Sequence, residues 1–327
     1  MTRHAGRPPS VRRAVLRAAQ VAIAGAILWF AADRLAEEWD RVRPLAADLT
    51  PDWAGVVGSA GVVFATYALL VQSWRVLLSA WGDRLPFGVA VCIWSVSNLG
   101  RYVPGKLWSI GAMGVLAQRA GVSPVAATGS AVIGTLVNLA ASLIVVCVAG
   151  QGVVEALFPH LAGWSGALPV AGVLGAILVP LVVPLATGLF ARLTGRSAPT
   201  RRLPFRTLGV VVVANVASWL GYGLAFRWLC EALTPSAGGD PLAYVAVFAG
   251  SYLAGYLALV VPGGLGVREV FLVAGLTGLH LADAPTATLL AVASRLWLTV
   301  LELAPGLAFL AVGAARPLSR PAPDANA

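Results

Sequence analysis

Charged residues are scarce in this chain, and their scarcity excludes a water-soluble globular protein. Only 11% of the 327 residues are Asp, Glu, Lys or Arg, whereas 58% are hydrophobic. A soluble domain carries about 25% charged residues, and a core of this size cannot hide so much apolar surface. The mean hydropathy of +0.82 points the same way. We therefore predict an all-α, polytopic integral membrane protein.

Cysteine and histidine are also few, which removes several kinds of chemistry. Cys92, Cys147 and Cys230 lie inside apolar segments and form no Cys-x-x-Cys pair, so we expect them to pack as small apolar residues. The three histidines are scattered and form no metal-ligand cluster. No nucleophile-elbow, zinc-protease or phosphate-loop motif occurs. The sequence therefore predicts no catalytic residue, no metal and no cofactor.

The excess of basic residues predicts membrane topology. The net charge is +9, but the basic residues lie between apolar segments and at the termini, as cytoplasmic loops require. Loop 191–206 carries five arginines, whereas loop 150–165 has neither Lys nor Arg. We expect both termini in the cytoplasm and an attraction to anionic headgroups, and we expect no nucleic-acid partner.

Apolar stretches long enough to cross a bilayer, roughly 18 residues or more, locate the spans. They lie near 15–32, 53–72, 124–149, 166–190, 207–230, 241–261 and 285–313, and an interrupted run covers 87–118. We expect one transmembrane domain over 15–313, a basic cytoplasmic tail over 1–14 and a disordered cytoplasmic tail over 314–327. The cytoplasmic membrane is the expected location.

Two apolar segments are broken by a Pro-Gly pair. The first break reads VPGKLW, from Val103 to Trp108, and the second reads VPGGLGVRE, from Val261 to Glu269. In lipid, a backbone break leaves polar groups unsatisfied unless protein or a water-filled cavity surrounds it. The loop charges require each broken segment to enter and leave on one side, from opposite faces. The prediction is about six full transmembrane helices plus two re-entrant helical hairpins.

The two breaks belong to a longer repeated order of features. A tyrosine, a Val-Pro-Gly break and a helix opened by proline follow one another twice, so that 53–149 pairs with 207–313. The connecting span 166–190 crosses once and inverts the second copy. An inverted repeat with broken elements is a common transporter plan. The alternative is convergence of two kinked apolar helices on similar composition.

Candidate site residues cluster at the first break. A charged side chain in the apolar region costs about 2.5–3.5 kcal/mol on translocon scales and marks a functional candidate. The candidates here are Asn98, Arg101, Tyr102, Pro104, Gly105 and Lys106. Arg101 and Lys106 would bind a phosphate-bearing headgroup, since arginine offers a fork of donors matched to phosphate oxygens. Alternatively, both snorkel to the interface, and the neutral side chains join helices.

The second break supplies the remaining candidates. They are Pro262, Gly263, Gly264, Gly266, Arg268 and Glu269, followed by Arg295 and Glu302 in the last helix. The glycines permit tight turns and close approach, and the seven-residue spacing puts Arg295 and Glu302 on one helix face. We expect the four charges to form a buried network that switches partners during transport. Alternatively, a pair such as Glu269–Arg295 or Arg268–Glu302 only holds the hairpin.

At these motifs the chain resembles the flippase-like family of the lysylphosphatidylglycerol synthase transmembrane region. The residues that carry the resemblance are SNLGRYVPGKLW over 97–108, GVSPVAA over 121–127, VPGGLGVRE and Arg295, within about 15–313. The resemblance implies translocation of aminoacylated phosphatidylglycerol to the outer leaflet, or of polyprenyl-linked sugars as in other relatives. Many relatives have a Glu-Arg pair where this chain has Val132-Ile133-Gly134-Thr135. Because no room remains for the soluble aminoacyl-transferase domain, we expect no synthase activity.

Three functions of different classes fit these observations. The first is a flippase-like transporter of an anionic or phosphate-bearing lipid, its substrate and main partner. The second is an accessory scaffold for a separate glycosyltransferase or lipid-modifying enzyme. The third is a membrane transferase with Glu269 or Glu302 as base. A polar cavity between the hairpins would favour the transporter. A fully packed midplane would favour the scaffold, and paired carboxylates at an acceptor site would favour the enzyme.

Overall fold

Every regular element in the part of the chain that the structure describes is a helix. The computed structural model describes residues 50–102, 107–157, 163–164, 166–175, 177–178, 203–234, 238–258 and 266–315. The predicted first span, most of the arginine-rich loop, the N-terminal tail and residues 316–327 of the C-terminal tail lie outside these residues, as do the central residues of each Pro-Gly break. The first two residues of the predicted disordered tail, 314 and 315, are helical.

The described helices follow the predicted order of spans and broken segments. They are α1 (Trp53–Ala80), α2 (Phe87–Asn98), α3 (Leu107–Arg119), α4 (Pro124–Ala149), α5 (Gln151–Leu157), α6 (Phe205–Leu233), α7 (Pro241–Leu257), α8 (Val267–Gly278) and α9 (Ala284–Ala315). A 3-10 turn, Leu99–Tyr102, follows α2. Among the described helices, α1, α6 and most of α4 and α9 are long and apolar enough to cross a membrane. The prediction of a helical, multi-pass membrane protein is confirmed at this level.

Two helix boundaries differ from the hydropathy prediction. Helix α1 continues to Ala80 instead of ending near residue 72, because Arg75 satisfies its charge locally. Its Nε donates to the Leu85 carbonyl at 2.9 Å, and its guanidinium lies 5.7 Å from the Phe87 ring centroid. The expected loop 150–165 begins with helix α5, where Val153 is buried in the core. Tertiary contacts that hydropathy does not encode extend both helices.

Polar side chains at the helix starts explain where several spans begin. Asp52 accepts from the Ala54 N–H at the start of α1, and Asp240 accepts from the Leu242 N–H at the start of α7. Ser123 caps α4, with proline in its first turn. Such caps satisfy donors that have no partner within the helix. At α9, the hydroxyl and the N–H of Thr286 bond to Asp283 and lower the pKa of that carboxyl.

Helices α1 and α6 form an antiparallel pair along their whole length. At one end the Asp52 N–H donates to the Ala232 carbonyl at 2.8 Å, and at the other the Asn215 side-chain amide donates to Ser73 Oγ at 3.0 Å. Between these points Gly221 faces Thr66 so closely that an added Cβ would lie 2.6 Å from Thr66 Oγ1. Small residues let two membrane helices approach closely. This pair is the axis around which the other helices pack.

Each broken segment folds back on itself and packs against the other half of the chain. The helices flanking the first break, α2 and α3, contact one another, as do α7 and α8 at the second break. Helix α2 also packs on α9, and α7 packs on α4. Each broken segment is therefore held by a long helix of the other half.

The two ends of the bundle are packed differently. We call the end with the α6–α7 and α8–α9 connections the α6–α7 end, and the other the α1–α2 end. One continuous apolar core fills the α6–α7 end and includes Phe226, Tyr244, Phe248, Leu276 and Leu290. At the α1–α2 end the core is divided into two clusters. One includes Trp74, Ile93 and Ala117, and the other includes Leu77, Ile133 and Val211.

Gly223 provides a test of the α6–α7 contact. A Cβ added at Gly223 would lie 2.3 Å from Val245 Cα, so the backbone of α7 must move. Overpacking of this kind costs about 1–3 kcal/mol, and we expect Gly223→Ala to lower the thermal unfolding midpoint of the purified protein in detergent. Gly209→Ala in the same helix is the control, because its added Cβ meets nothing within 4 Å. Equal midpoints for the two variants would contradict this packing.

Candidate functional site

Two buried ion pairs meet on one face of α9. Glu302 accepts from Arg101 Nη1 at 2.5 Å and from the Tyr102 hydroxyl at 2.9 Å. Arg295 donates through Nη1 to Glu269 of α8 at 2.7 Å. The seven-residue spacing of the two α9 side chains brings one residue from the 3-10 turn and one from α8 to the same face. The structure therefore places charges from both broken segments at a single site.

The Arg101–Glu302 pair joins the two halves of the chain. Its partners are 201 residues apart in sequence, and the Glu302 side chain is only 10% exposed. Arg101 also donates through Nη2 to Asn98 Oδ1 at 3.2 Å, so the 3-10 turn directs the guanidinium onto α9. A buried carboxylate is retained only when cations and hydrogen bonds compensate its charge. The sequence left open an ion pair between Arg268 and Glu302, but in the structure the arginine that pairs with Glu302 is Arg101.

Arg268 lies between aromatic rings and has no carboxylate partner among the described residues. The residue is 7% exposed, and its guanidinium carbon lies 4.9 Å from the Phe248 ring centroid and 5.4 Å from that of Tyr252. Its Nε and Nη2 are buried without a hydrogen-bond partner in the described ranges. Gly266 begins α8 with φ of 77°, a left-handed conformation that suits glycine. Arg268, in the first turn of α8, is therefore a buried cation with two hydrogen-bond donors available.

An arginine-rich cavity of about 110 Å³ lies beside these groups. Its lining includes the charged residues Arg101, Arg268, Arg295 and Glu302, together with Tyr102 and Thr299. Three guanidinium groups against one carboxylate give the lining a formal charge of 3 − 1 = +2. Including Glu269, which pairs with Arg295 but lines neither cavity, the cluster still carries 3 − 2 = +1. The site therefore has the charge and the donors to bind an anion.

A second, neutral cavity of about 160 Å³ adjoins the arginine-rich cavity. The two share the lining residues Arg101, Ser109, Tyr252 and Tyr256. The neutral cavity is lined by uncharged polar side chains and aromatic rings, and Arg101 is the one charged residue in its lining. It is lined by the α1–α2-end halves of α1 and α4, and its lining includes Trp74 of one α1–α2-end cluster and Trp219 of the continuous core.

Hydrogen bonds between α1, α4 and α6 organise the neutral cavity. The side-chain amide of Asn138 donates to Asn215 Oδ1 at 3.0 Å, and Asn215 in turn donates to Ser73 Oγ at 3.0 Å. Trp219 Nε1 donates to the Asn138 carbonyl at 3.0 Å, and Trp74 Nε1 donates to Ser130 Oγ at 2.9 Å. Polar groups that are buried in an apolar bundle require such partners. The cavity wall is therefore ordered polar surface.

The structure brings together most of the described candidates from the sequence. Arg101, Tyr102, Arg268, Arg295 and Glu302 line the arginine-rich cavity, and Asn98 lines the neutral one. Six further candidates lie outside the described residues: Pro104, Gly105, Lys106, Pro262, Gly263 and Gly264. Sequence reasoning missed Ser73, Asn138 and Asn215. An amide within an otherwise apolar span is itself a signal of an internal polar site, and it would have pointed to both asparagines.

The described ranges contain no group of three or more His, Cys, Asp or Glu side chains that could hold a metal ion. Glu269 and Glu302 are each bound to an arginine. The described site offers charge, hydrogen-bond donors and aromatic rings for contact with a ligand.

The helices and the buried arginines define a polytopic membrane protein with an ionisable site inside its apolar bundle. A family model described as the lysylphosphatidylglycerol synthase transmembrane region matches residues 17–306, and the chain belongs to that family. The resemblance stated from the sequence motifs is thereby confirmed, and the family indicates a role connected with membrane lipids. A comparison with curated proteins finds no match.

Removing the charge of Glu302 tests the central ion pair. Glu302→Gln leaves Arg101 buried without a carboxylate. Breaking a buried pair costs about 3–5 kcal/mol, and we expect the lower end because the Arg101 side chain is 30% exposed. Glu231→Gln is the control: Glu231 also pairs with an arginine, Arg227, at 2.7 Å, but its side chain is 38% exposed, so the loss is about 0–1 kcal/mol. Denaturant unfolding in detergent measures both, and similar losses would argue against a buried pair.

Proposed function

We propose that this protein is a flippase-like transporter that moves an anionic or phosphate-bearing lipid across the cytoplasmic membrane. The observation that carries the proposal is the arginine-rich cavity, in which Arg268 is buried with two donors that have no hydrogen-bond partner among the described residues. A buried cation whose donors are unpaired is costly. A phosphate group relieves that cost, and its oxygens match the donor fork of arginine.

Two adjoining polar cavities inside the bundle favour transport over the accessory scaffold. A scaffold needs a packed interior, whereas the bundle has adjoining cavities of about 160 Å³ and 110 Å³. The pairing of Glu269 and Glu302 with arginines favours transport over a transferase, because a general base must be free to accept a proton. The proposed activity is therefore translocation without covalent chemistry.

The proposed architecture is an inverted repeat of about six spans and two re-entrant hairpins. The four long described helices, with the apolar stretches 15–32 and 166–190, make six spans, and the broken segments make the hairpins. Tyr67 and Tyr222, which match one another in the repeat, are in contact at 6.0 Å between ring centroids. Residues on a two-fold axis contact their own equivalents. The contacts α2–α9 and α7–α4 are also equivalent under this pairing.

The difference between the two ends supports a state that is open towards the cytoplasm. Loop charge assigns the α1–α2 end, where the neutral cavity lies, to the cytoplasmic side, and both termini to the same side. The α6–α7 end is closed by the continuous apolar core. Alternating access requires one closed and one open end around a central site. We propose that the charged cluster changes partners when the ends exchange.

Leaflet exchange tests the proposed transport. We expect Arg268→Gln and Lys106→Ala to reduce exchange of fluorescent phosphatidylglycerol, lysyl-phosphatidylglycerol or a polyprenyl phosphate at least tenfold in liposomes that contain the purified protein. Arg227→Gln is the matched control, because Arg227 lies outside both cavities and pairs with Glu231 on its own helix. Full exchange by both site variants, or no exchange of any lipid by folded wild-type protein, would contradict the proposal. The second result would favour the scaffold.

Cysteine labelling tests which end is open. In a background without Cys92, Cys147 and Cys230, we expect Thr135→Cys in the neutral cavity to react with a membrane-impermeant maleimide in inside-out vesicles and not in spheroplasts. Leu290→Cys in the continuous core should react in neither, because Leu290 is 1% exposed. Labelling of Thr135→Cys from the outer face alone would contradict the proposed orientation.

A further inference from the structure

We infer that the two adjoining cavities select a headgroup with two chemically different parts: a phosphate in the arginine-rich cavity, and an uncharged, hydroxyl-bearing group in the neutral cavity. The inference rests on the proposed function and names its substrate class. A headgroup that ends in an ammonium, such as an aminoacyl ester, is disfavoured. Three observations support the inference: the polar atoms without partners, the charge of the lining and the composition of the neutral cavity.

The unpartnered polar atoms that line the cavities are hydrogen-bond donors. In the arginine-rich cavity they are Arg268 Nε and Nη2, and in the neutral cavity the atom is Asn98 Nδ2, all buried without a partner in the described part of the chain. A buried donor is satisfied only by an acceptor. Phosphate and hydroxyl oxygens are acceptors, whereas an ammonium offers donors alone. The linings of the two cavities are therefore complementary to an oxygen-rich ligand; the unpartnered acceptor of the charged cluster, Glu269 Oε2, lines neither cavity.

The charge of the lining acts against a cationic headgroup. The two cavities together are lined by three arginines and Glu302, and Glu302 already accepts from Arg101 and Tyr102. Arg101 lies where the cavities join, so an ammonium on a headgroup bound there approaches a guanidinium. The aromatic rings of the neutral cavity could attract a cation through their faces. They do so beside a fixed positive charge that opposes it.

The neutral cavity has the composition that hydroxyl groups require. Ser73, Thr135, Asn138 and Asn215 offer side chains that both donate and accept, and Trp74 and Trp94 supply apolar walls. A hydroxyl group likewise donates and accepts, so each one can exchange bonds with this lining. Glycerol and a sugar ring share this chemistry, and binding experiments separate the two sources.

Equilibrium binding of short-chain lipids to the full-length protein in detergent tests the inference. The probes are dihexanoyl phosphatidylglycerol, phosphatidylinositol, lysyl-phosphatidylglycerol and phosphatidylmethanol, measured by titration calorimetry. We expect phosphatidylglycerol or phosphatidylinositol to bind at least about tenfold more tightly than lysyl-phosphatidylglycerol and phosphatidylmethanol. The tighter of the two distinguishes a glycerol from a ring of hydroxyl-bearing carbons, for which inositol stands in for a sugar. The inference is overturned if lysyl-phosphatidylglycerol or phosphatidylmethanol binds as tightly as phosphatidylglycerol and phosphatidylinositol, or more tightly. It is also overturned if no probe binds.

A charge introduced into the neutral cavity provides a second test. Thr135→Asp adds a carboxylate there. We expect this variant to reduce, at least threefold, the ratio of the dissociation constant of lysyl-phosphatidylglycerol to that of the preferred lipid. Thr135→Asn, which has the same shape without the charge, should leave the preference unchanged. An unchanged preference in a folded Thr135→Asp protein overturns the electrostatic part of the inference. If that variant does not fold, the wild-type comparison decides.

Leaflet exchange of the same headgroups in liposomes separates this inference from the proposed function. A binding preference without exchange supports the inference and contradicts transport. Exchange that favours the lysyl ester supports transport and overturns the inference.

Discussion

The neutralisation of buried charge is the constraint on which the rest of this structure depends. Arg101 and Glu302 come from opposite halves of the chain, and each compensates the charge of the other inside an apolar bundle. Their pairing holds the 3-10 turn of the first broken segment against α9, and the Arg295–Glu269 pair holds α8 against the same helix. These two pairs leave Arg268 as the cation of the site without a salt-bridge partner among the described residues, and the proposed anion binding draws on the same balance of charge.

The bundle combines equivalent contacts with unequal ends. The broken segments pack in equivalent ways on the long helices of the opposite halves, yet the apolar core is continuous at one end and divided at the other. In an alternating-access protein, unequal packing of equivalent elements is the expected signature of one conformational state, because the other state exchanges the two packings.

The amides of α4 and α6 connect the packing to the proposed ligand chemistry. Asn138 and Asn215 bond to one another and to Ser73, which joins three helices around the neutral cavity. Such bonds contribute modestly to helix association in membranes, but they fix where polar atoms face the cavity. The same residues thus support the bundle and present the uncharged lining beside the arginines.

The sequence by itself determined the helical membrane class, the two breaks and most of the charged site residues, since hydropathy, proline, glycine and intramembrane charge act locally. Only the tertiary structure decided that Glu302 pairs with Arg101 and not Arg268, that Asn138 meets Asn215, and that α5 forms within an expected loop. Partners 201 residues apart are chosen by the packing of helices, because a buried charge or amide bonds to whichever complementary group the fold brings within reach, and linear spacing does not encode that distance.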